Sequence, residues 1–213
     1  AIASKDGRWT YRQLAERSLE VAGAVTDEGV GGGERAAILL PRSFDACAAF
    51  FGVLAAGAVA VFVNESLKPR QIDHILNHSA ARLLLSNAEI LGRLGRPLGS
   101  GARVVDVQGI RGTREQEVAS RIGTDVAQII YTSGSTGLPK GVTLSHANLW
   151  AGMRAVVEYL GIEATDRIAS LLPFSFDYGL NQLLCAVGTG ASLVIERSPI
   201  AQRIVRTLRE QDV

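Results

Sequence analysis

Tyr131-Thr132-Ser133-Gly134-Ser135-Thr136-Gly137-Leu138-Pro139-Lys140-Gly141 packs three glycines, four Ser or Thr hydroxyls and one lysine into eleven residues. Before it, Val126-Ala127-Gln128-Ile129-Ile130 is an apolar run that reads as a buried strand; after it, Val142-Thr143-Leu144 reads as a second short strand ahead of a helix. Glycines let a loop between two strands bring backbone N–H groups close to an anion. The hydroxyls add donors, and Lys140 adds a point charge that suits phosphate. Together these residues read as a polyphosphate cradle. They do not form a Walker A loop, which needs Gly directly before the Lys and Ser or Thr directly after it; here Pro139 and Gly141 take those places. A kinase-type glycine-rich loop does not fit either. The bland alternative is a Gly/Ser turn that only links two strands.

Working outward, Asp6-Gly7 marks a hairpin turn between Ala1–Ser4 and Arg8-Trp9-Thr10. Thr10 and Gln13 form a capping-box pattern, and the helix that follows places Leu14, Ser18, Val21, Ala22 and Val25 on one face before Gly29. The glycine-rich 29–33 run reads as a connection. Strands are expected over Arg35–Leu40, Ala58–Val63, Arg82–Ser86 and Arg103–Val107, and helices after Ser43, from Pro69 to about Ser79, and over Ala88–Leu94. Residues 109–124 read as a polar loop with a helical turn. Past the cradle, Ser145 caps a helix to about Tyr159, with His146 in its first turn. A strand over Asp166–Leu172, a helix to about Val187, a strand over Ala191–Ile195 and a helix starting at Ser198-Pro199 complete the chain. His74 and His78 are one helical turn apart, a spacing that can hold a metal. No third ligand accompanies them, so the pair reads as a solvated helix face and no metal site is expected.

Alternating strands and helices of this kind predict an α/β fold, with mainly parallel sheets and helices on both faces. Ligands in such sheets bind beyond the carboxyl ends of the strands, which is where the cradle lies. The expected division places a first α/β subdomain, carrying the cradle, over about 34–149. Part of a second comprises 1–33 and 150–213.

A chain of 213 residues with 47% hydrophobic and 20% charged residues can bury a sizeable core. A net charge of +1 gives no electrostatic case for nucleic acid. Cys47 and Cys185 are isolated thiols, which suits a reducing cytoplasm better than a disulfide framework. The opening residues read as a hairpin rather than a signal peptide. Ala46 to Val63 is 18 residues without a charge, but Gly52 and Gly57 interrupt it. It reads as a buried helix, a Gly57 cap and a buried strand rather than a membrane span.

The Tyr131–Gly141 stretch resembles the signature loop of the adenylate-forming superfamily: acyl-CoA synthetases, aryl-acid ligases, luciferases and the adenylation domains of peptide synthetases. Eleven matched positions ending in Pro-Lys-Gly make the match specific. The resemblance implies ATP-dependent activation of a carboxylic acid to an acyl-adenylate, release of pyrophosphate, and transfer to a thiol, either coenzyme A or a carrier-protein arm. Thr132, Ser133, Ser135 and Thr136 would then donate hydroxyl hydrogen bonds to the β- and γ-phosphates. Gly134 and Gly137 would admit the backbone, and Lys140 would neutralise the leaving group. Ser145-His146-Ala147-Asn148 matches a family stretch of mainly structural role.

Pro173-Phe174-Ser175-Phe176-Asp177-Tyr178-Gly179 resembles the family's next motif, which makes Phe174, Phe176, Asp177 and Tyr178 the expected acyl pocket. Many acyl-CoA and aryl ligases have His where Phe176 stands. Phe-Asp is frequent in peptide-synthetase domains, where the Asp pairs with the substrate amino group. Asp177-Tyr178-Gly179 also fits the His-Asp-x-Gly pattern of fatty-acyl-AMP ligases. The alternative without function is a turn capped by Asp177. An acyl-CoA ligase type is the leading expectation, with an amino-acid-activating domain and a non-catalytic binding module as alternatives. The resemblance covers the first part of the family's large domain. It places the adenine and ribose sites, the main Mg²⁺ ligand and the catalytic lysine beyond Val213, so no catalytic residue is expected within these 213 residues, and the chain by itself is expected to be inactive.

Overall fold

A computed structural model of the chain describes residues 1–95, 98–111, 117–132 and 139–213. A hairpin of β1 (Ile2–Ser4) and β2 (Gly7–Trp9) leads into α1 (Tyr11–Asp27). Then β3 (Arg35–Ile38), α2 (Phe44–Ala55), β4 (Val59–Phe62), α3 (Pro69–His78), β5 (Leu83–Ser86), α4 (Ala88–Leu94) and β6 (Arg103–Asp106) alternate. A 3₁₀ turn at Val107–Gly109 follows, capped by Asp106. Next come β7 (Val126–Thr132), β8 (Lys140–Ser145), α5 (His146–Leu160), β9 (Arg167–Ser170), α6 (Asp177–Thr189), β10 (Ser192–Ile195) and α7 (Ala201–Glu210).

The strands form two sheets. One has the order β2-β1-β10-β9, the other β6-β5-β3-β4-β7-β8. All neighbours run parallel except β1 with β2 and β7 with β8. The expected α/β class with mainly parallel sheets is therefore what the chain adopts. Local signals set many of the helix starts. Thr10 and Gln13 close a capping box on α1, and Ser145 and Asn148 close one on α5. Ser43 caps α2 through the Ala46 N–H, and Pro69 occupies the first turn of α3. The last helix begins later than Ser198-Pro199 implies. Ser198 Oγ accepts the Ile200 N–H at 3.2 Å, a local turn that keeps Pro199 outside the helix.

Period-two alternation in β3 divides the core. Ala36 and Ile38 face a cluster that runs from Ile2, Leu193 and Ile195 of the smaller sheet, through α1, α2 and α6, to Phe62, Leu83 and Leu85. Ala37 and Leu39 face the opposite side, where Val61 and Leu84 meet Ile72, Ile75 and Leu76 of α3. The uncharged stretch at 46–63 is α2, a Gly57 turn and β4, and no helix among the described residues is long and apolar enough to cross a membrane.

The two central helices touch nearly backbone to backbone. A Cβ on Gly52 of α2 would lie 2.7 Å from Ser18 O and 2.7 Å from Val21 Cβ of α1. Gly23, on α1, has nothing within 4 Å of its Cβ position. Gly52→Ala is therefore expected to destabilise the fold by about 1–3 kcal/mol, while Gly23→Ala stabilises it by about 0.5–1 kcal/mol. Urea unfolding midpoints of the two variants check both signs.

Candidate functional site

The antiparallel register of β7 and β8 pairs Thr132 with Lys140, Ile130 with Val142 and Gln128 with Leu144. Side chains alternate along a strand, so these six residues share one face of the ribbon. That face is polar at the loop end, apolar in the middle and polar again at Gln128. Thr132 and Lys140 are exposed and adjacent, so a hydroxyl and an ammonium stand side by side where the loop leaves and re-enters the ribbon. Ser133, Gly134, Ser135, Thr136 and Gly137, the other expected phosphate-binding residues, lie outside the described residues.

A cavity of about 520 Å³ opens beyond the carboxyl ends of β4 and β7. Thr132 and Pro139 mark its loop end; Phe62, Ile130 and Leu144 line its apolar wall, and Ser175, Phe176 and Asp177 line the side formed by the start of α6. An inner cavity of about 190 Å³ shares Ile130, Leu144 and Asp177 with it and reaches Gln128, Asn148, Asn181 and Met153. The outer volume is within the range of small-molecule sites.

The four expected acyl-pocket residues are placed differently from one another. Phe176 and Asp177 line the outer cavity. Phe174 is 3% exposed and lies behind the wall, its ring 5.8 Å from that of Phe62. Tyr178 is 73% exposed and is not among the lining residues. Phe176, not Asp177, holds the cap position of α6, and its N–H bonds to Pro173 O at 3.0 Å. Asp177 is therefore the first helical residue, where its Oδ1 accepts the Tyr178 N–H at 2.7 Å and its charge complements the helix dipole. Gly179 allows this turn. A Cβ there would sit 2.1 Å from Pro173 O.

His78 is exposed and His74 half-buried, as a solvated helix face implies, but both rings also meet partners. His78 Nδ1 lies 2.8 Å from the Tyr131 hydroxyl, and His74 donates from Nε2 to Pro139 O at 3.1 Å. The two imidazoles therefore hold both stems of the loop against α3, with ring centroids 5.4 Å apart. Burial pushes the Tyr131 phenol above its usual range. Next to Asn64, on the cavity rim, burial also pushes the Glu65 carboxyl up, against the opposing pull of Arg197, Arg42 and Arg93. Among the described residues no cluster of three or more His, Cys, Asp or Glu is placed to hold a metal.

Sequence reading passed over Gln128. Its side chain is 0% exposed, and neither amide atom meets a hydrogen-bond partner among the described residues. A buried amide in that state costs about 1–3 kcal/mol. The signal was a single polar residue inside the apolar Val126–Ile130 run, in period-two register with Thr132. Ser175 Oγ, on the outer cavity, is likewise buried and unpartnered among the described residues. Asn181, on the inner cavity, also went unnoticed because it reads as an ordinary helix residue.

The AMP-binding enzyme family model matches residues 1–213. A linear gramicidin synthase of Brevibacillus parabrevis is 32% identical over 218 residues, which cover 100% of this chain and 3% of that protein. The structure of VinN with 3-methylaspartate superposes with a TM-score of 0.88 at 28% identity, covering 100% of this chain and 59% of that one. The N-terminal domain of FACL13 from Mycobacterium tuberculosis shares the fold at TM-score 0.87 and 23% identity, with 57% of its chain covered. The chain thus spans a few per cent of the length of the synthase and less than two thirds of the two structures.

The tether from α3 to the loop stem gives a direct test. Tyr131→Phe and His78→Leu should each lower stability by about 0.5–1.5 kcal/mol, and a double-mutant cycle should return a coupling of about 0.5–1 kcal/mol. Denaturant unfolding of the four proteins measures it; zero coupling would show that the 2.8 Å contact is not formed in solution.

Proposed function

The chain belongs to the AMP-binding enzyme family, and on that premise we propose that the protein carrying it activates a carboxylic acid as an acyl-adenylate. ATP supplies the α-phosphate that the carboxylate takes, and pyrophosphate leaves. The observation that carries this reading is the Thr132–Lys140 cross-strand pair at the loop end of the outer cavity. A hydroxyl donor beside an ammonium fits phosphate oxygens, and positioning plus charge neutralisation is most of what such a transfer needs. Ser133, Gly134, Ser135, Thr136 and Gly137 complete the proposed phosphate-binding set from the sequence alone. Mg²⁺ accompanies ATP in this reading, although no cluster among the described residues fits it.

The acid lies along the shared face of β7 and β8, with its carboxylate toward Thr132. Phe62, Ile130 and Leu144 exclude water from its body. Asp177 distinguishes two finer readings. A carboxylate on the cavity wall favours an acid that carries an amino group, as in the adenylation domains of peptide synthetases, and the similarity to a gramicidin synthase agrees with this. The second reading is an acyl-CoA ligase type, favoured by the apolar middle of the cavity. The acceptor is then a carrier-protein thiol in the first case and coenzyme A in the second. Cys47 and Cys185 are free and buried, in keeping with a reducing cytoplasm.

Acid-dependent ATP–pyrophosphate exchange by the full-length protein tests the proposal. Lys140→Ala should lower kcat/KM by about 100-fold or more, with Lys140→Arg recovering part of the loss. Exchange that is indifferent to Lys140→Ala would remove the phosphate assignment. Asp177→Asn separates the finer readings. It should abolish exchange with amino acids if Asp177 binds the amino group, and leave exchange with simple acyl acids nearly as it was if it does not.

A further inference from the structure

Gln128 is the residue that the proposed reaction leaves unexplained. Its backbone sits at a junction, pairing with Ala60 of β4 on one side and Leu144 of β8 on the other. Its side chain lies on the same ribbon face as Ile130 and Thr132, at the far end of the inner cavity. Both the Oε1 and Nε2 atoms are buried and unpartnered among the described residues. Leucine or methionine would fill that position in an otherwise apolar strand without such a defect. A buried amide in this state calls for an explanation, and a polar ligand group delivered through the cavity supplies one.

The two cavities form a path along one ribbon face. Thr132 lies at the outer end, Ile130, Leu144 and Asp177 are shared by both, and Gln128 with Asn148 and Asn181 lies at the inner end. Strand rise sets the separation of Thr132 and Gln128 at roughly 14 Å. Asn148 Oδ1 is engaged in the cap of α5, accepting the Ser145 N–H at 3.0 Å, and Asn181 Oδ1 is engaged with Cys185 Sγ at 3.4 Å. Gln128 is therefore the inner-end amide whose acceptor and donor both remain to be met.

We propose that Gln128 reads the end of the acid remote from its carboxylate, and that the acid activated here carries a hydroxyl or carboxamide at that end. A glutamine offers one acceptor and two donors, which matches a group able both to donate and to accept. A carboxylate end would leave Oε1 facing negative charge, and a methyl end would leave both amide atoms unpaired. Gln128 lines the inner cavity of about 190 Å³, and its distance from Thr132 calls for an extended acid rather than a compact one. This inference rests on the reading of the outer cavity as the seat of the carboxylate. It adds to that reading the chemistry of the substrate's other end.

The experiment is pyrophosphate exchange by the full-length protein with matched pairs of acids, with and without an α-amino group. Each hydroxyl- or carboxamide-ended acid is set against the isostere ending in methyl or isopropyl. The native protein should favour the polar-ended member by about 100-fold or more in kcat/KM, because a site built to bond a polar group rejects the analogue that lacks it. Gln128→Leu should reverse that preference and raise Tm, since it replaces an unpartnered amide with an apolar side chain of similar size. Equal use of both members of every pair would overturn the inference and leave acid activation standing. A fall in Tm for Gln128→Leu would show that the amide is already satisfied within the fold, and would overturn it too. Exchange with no acid at all would bring down the adenylation reading and the inference together.

Discussion

Cross-strand pairing between β7 and β8 fixes everything the site does. The ribbon is antiparallel in a sheet that is otherwise parallel, and its register sets Thr132 against Lys140 and Gln128 against Leu144. A slip of one residue would turn Ile129 to the face now held by Ile130 and send Thr132 and Gln128 to the other face. Gln128 anchors that register from both sides, since it is also the residue through which β7 pairs with β4. The same backbone position holds the ribbon in the sheet and carries a side chain that lines the inner cavity. Holding the loop stems against α3 through His74 and His78 adds a second restraint, on the opposite face of the ribbon.

Behind the ribbon, the fold's rigidity comes from the layer between the sheets. Helix α2 carries small residues, Ala46, Cys47, Ala48 and Ala49, all fully buried, and its Gly52 lets α1 approach to backbone distance. From the same helix, Phe50 stacks on Phe62 at 5.7 Å, with Phe174 against Phe62. One aromatic series thus runs from the centre of the core to the cavity wall. Phe176 and Asp177 are carried by the short turn that ends this series, and Gly179 fixes how tightly α6 leaves it. Precision at the cavity therefore depends on packing among residues that never touch it.

Much of this architecture was legible in the sequence because its signals are local. The Thr10/Gln13 and Ser145/Asn148 caps, Ser43, Pro69 and the Asp6-Gly7 turn each depend on neighbours within a few residues, and each element starts where those residues imply. The order of the strands was not legible, because hydrogen-bonded neighbours such as β1 and β10 share no local signal. Helical periodicity placed His74 and His78 on one face but could not say that the face meets Tyr131 and Pro139. Of the site, the end proposed to bind phosphate was legible as a composition: glycine, hydroxyl and lysine in a loop. The end proposed to bind the acid was only half legible. The sequence motif groups Phe174, Phe176, Asp177 and Tyr178 together, while the turn at Pro173 sends them to the core, the cavity and the surface in turn. Gln128 was hidden because a buried strand tolerates one polar residue in the pattern, and only the absence of partners among the described residues gives it meaning.

The smaller sheet joins the first strands of the chain to nearly the last. Ile2 pairs with Leu193, Ala3 with Val194, and the Leu193 N–H bonds to Ala1 O at 2.8 Å. On a ribosome moving at its ordinary pace, the opening hairpin waits roughly ten seconds or more before β10 has been made. Until then β1 is an edge without its neighbour, and Ile2, later wholly buried, faces water or a chaperone. The larger sheet, whose strands are contiguous in sequence, can condense during that interval and serve as the template onto which the smaller one closes. The order in which the two sheets appear during synthesis is thus written into the fold, and the cavity wall contributed by α6 follows the larger sheet.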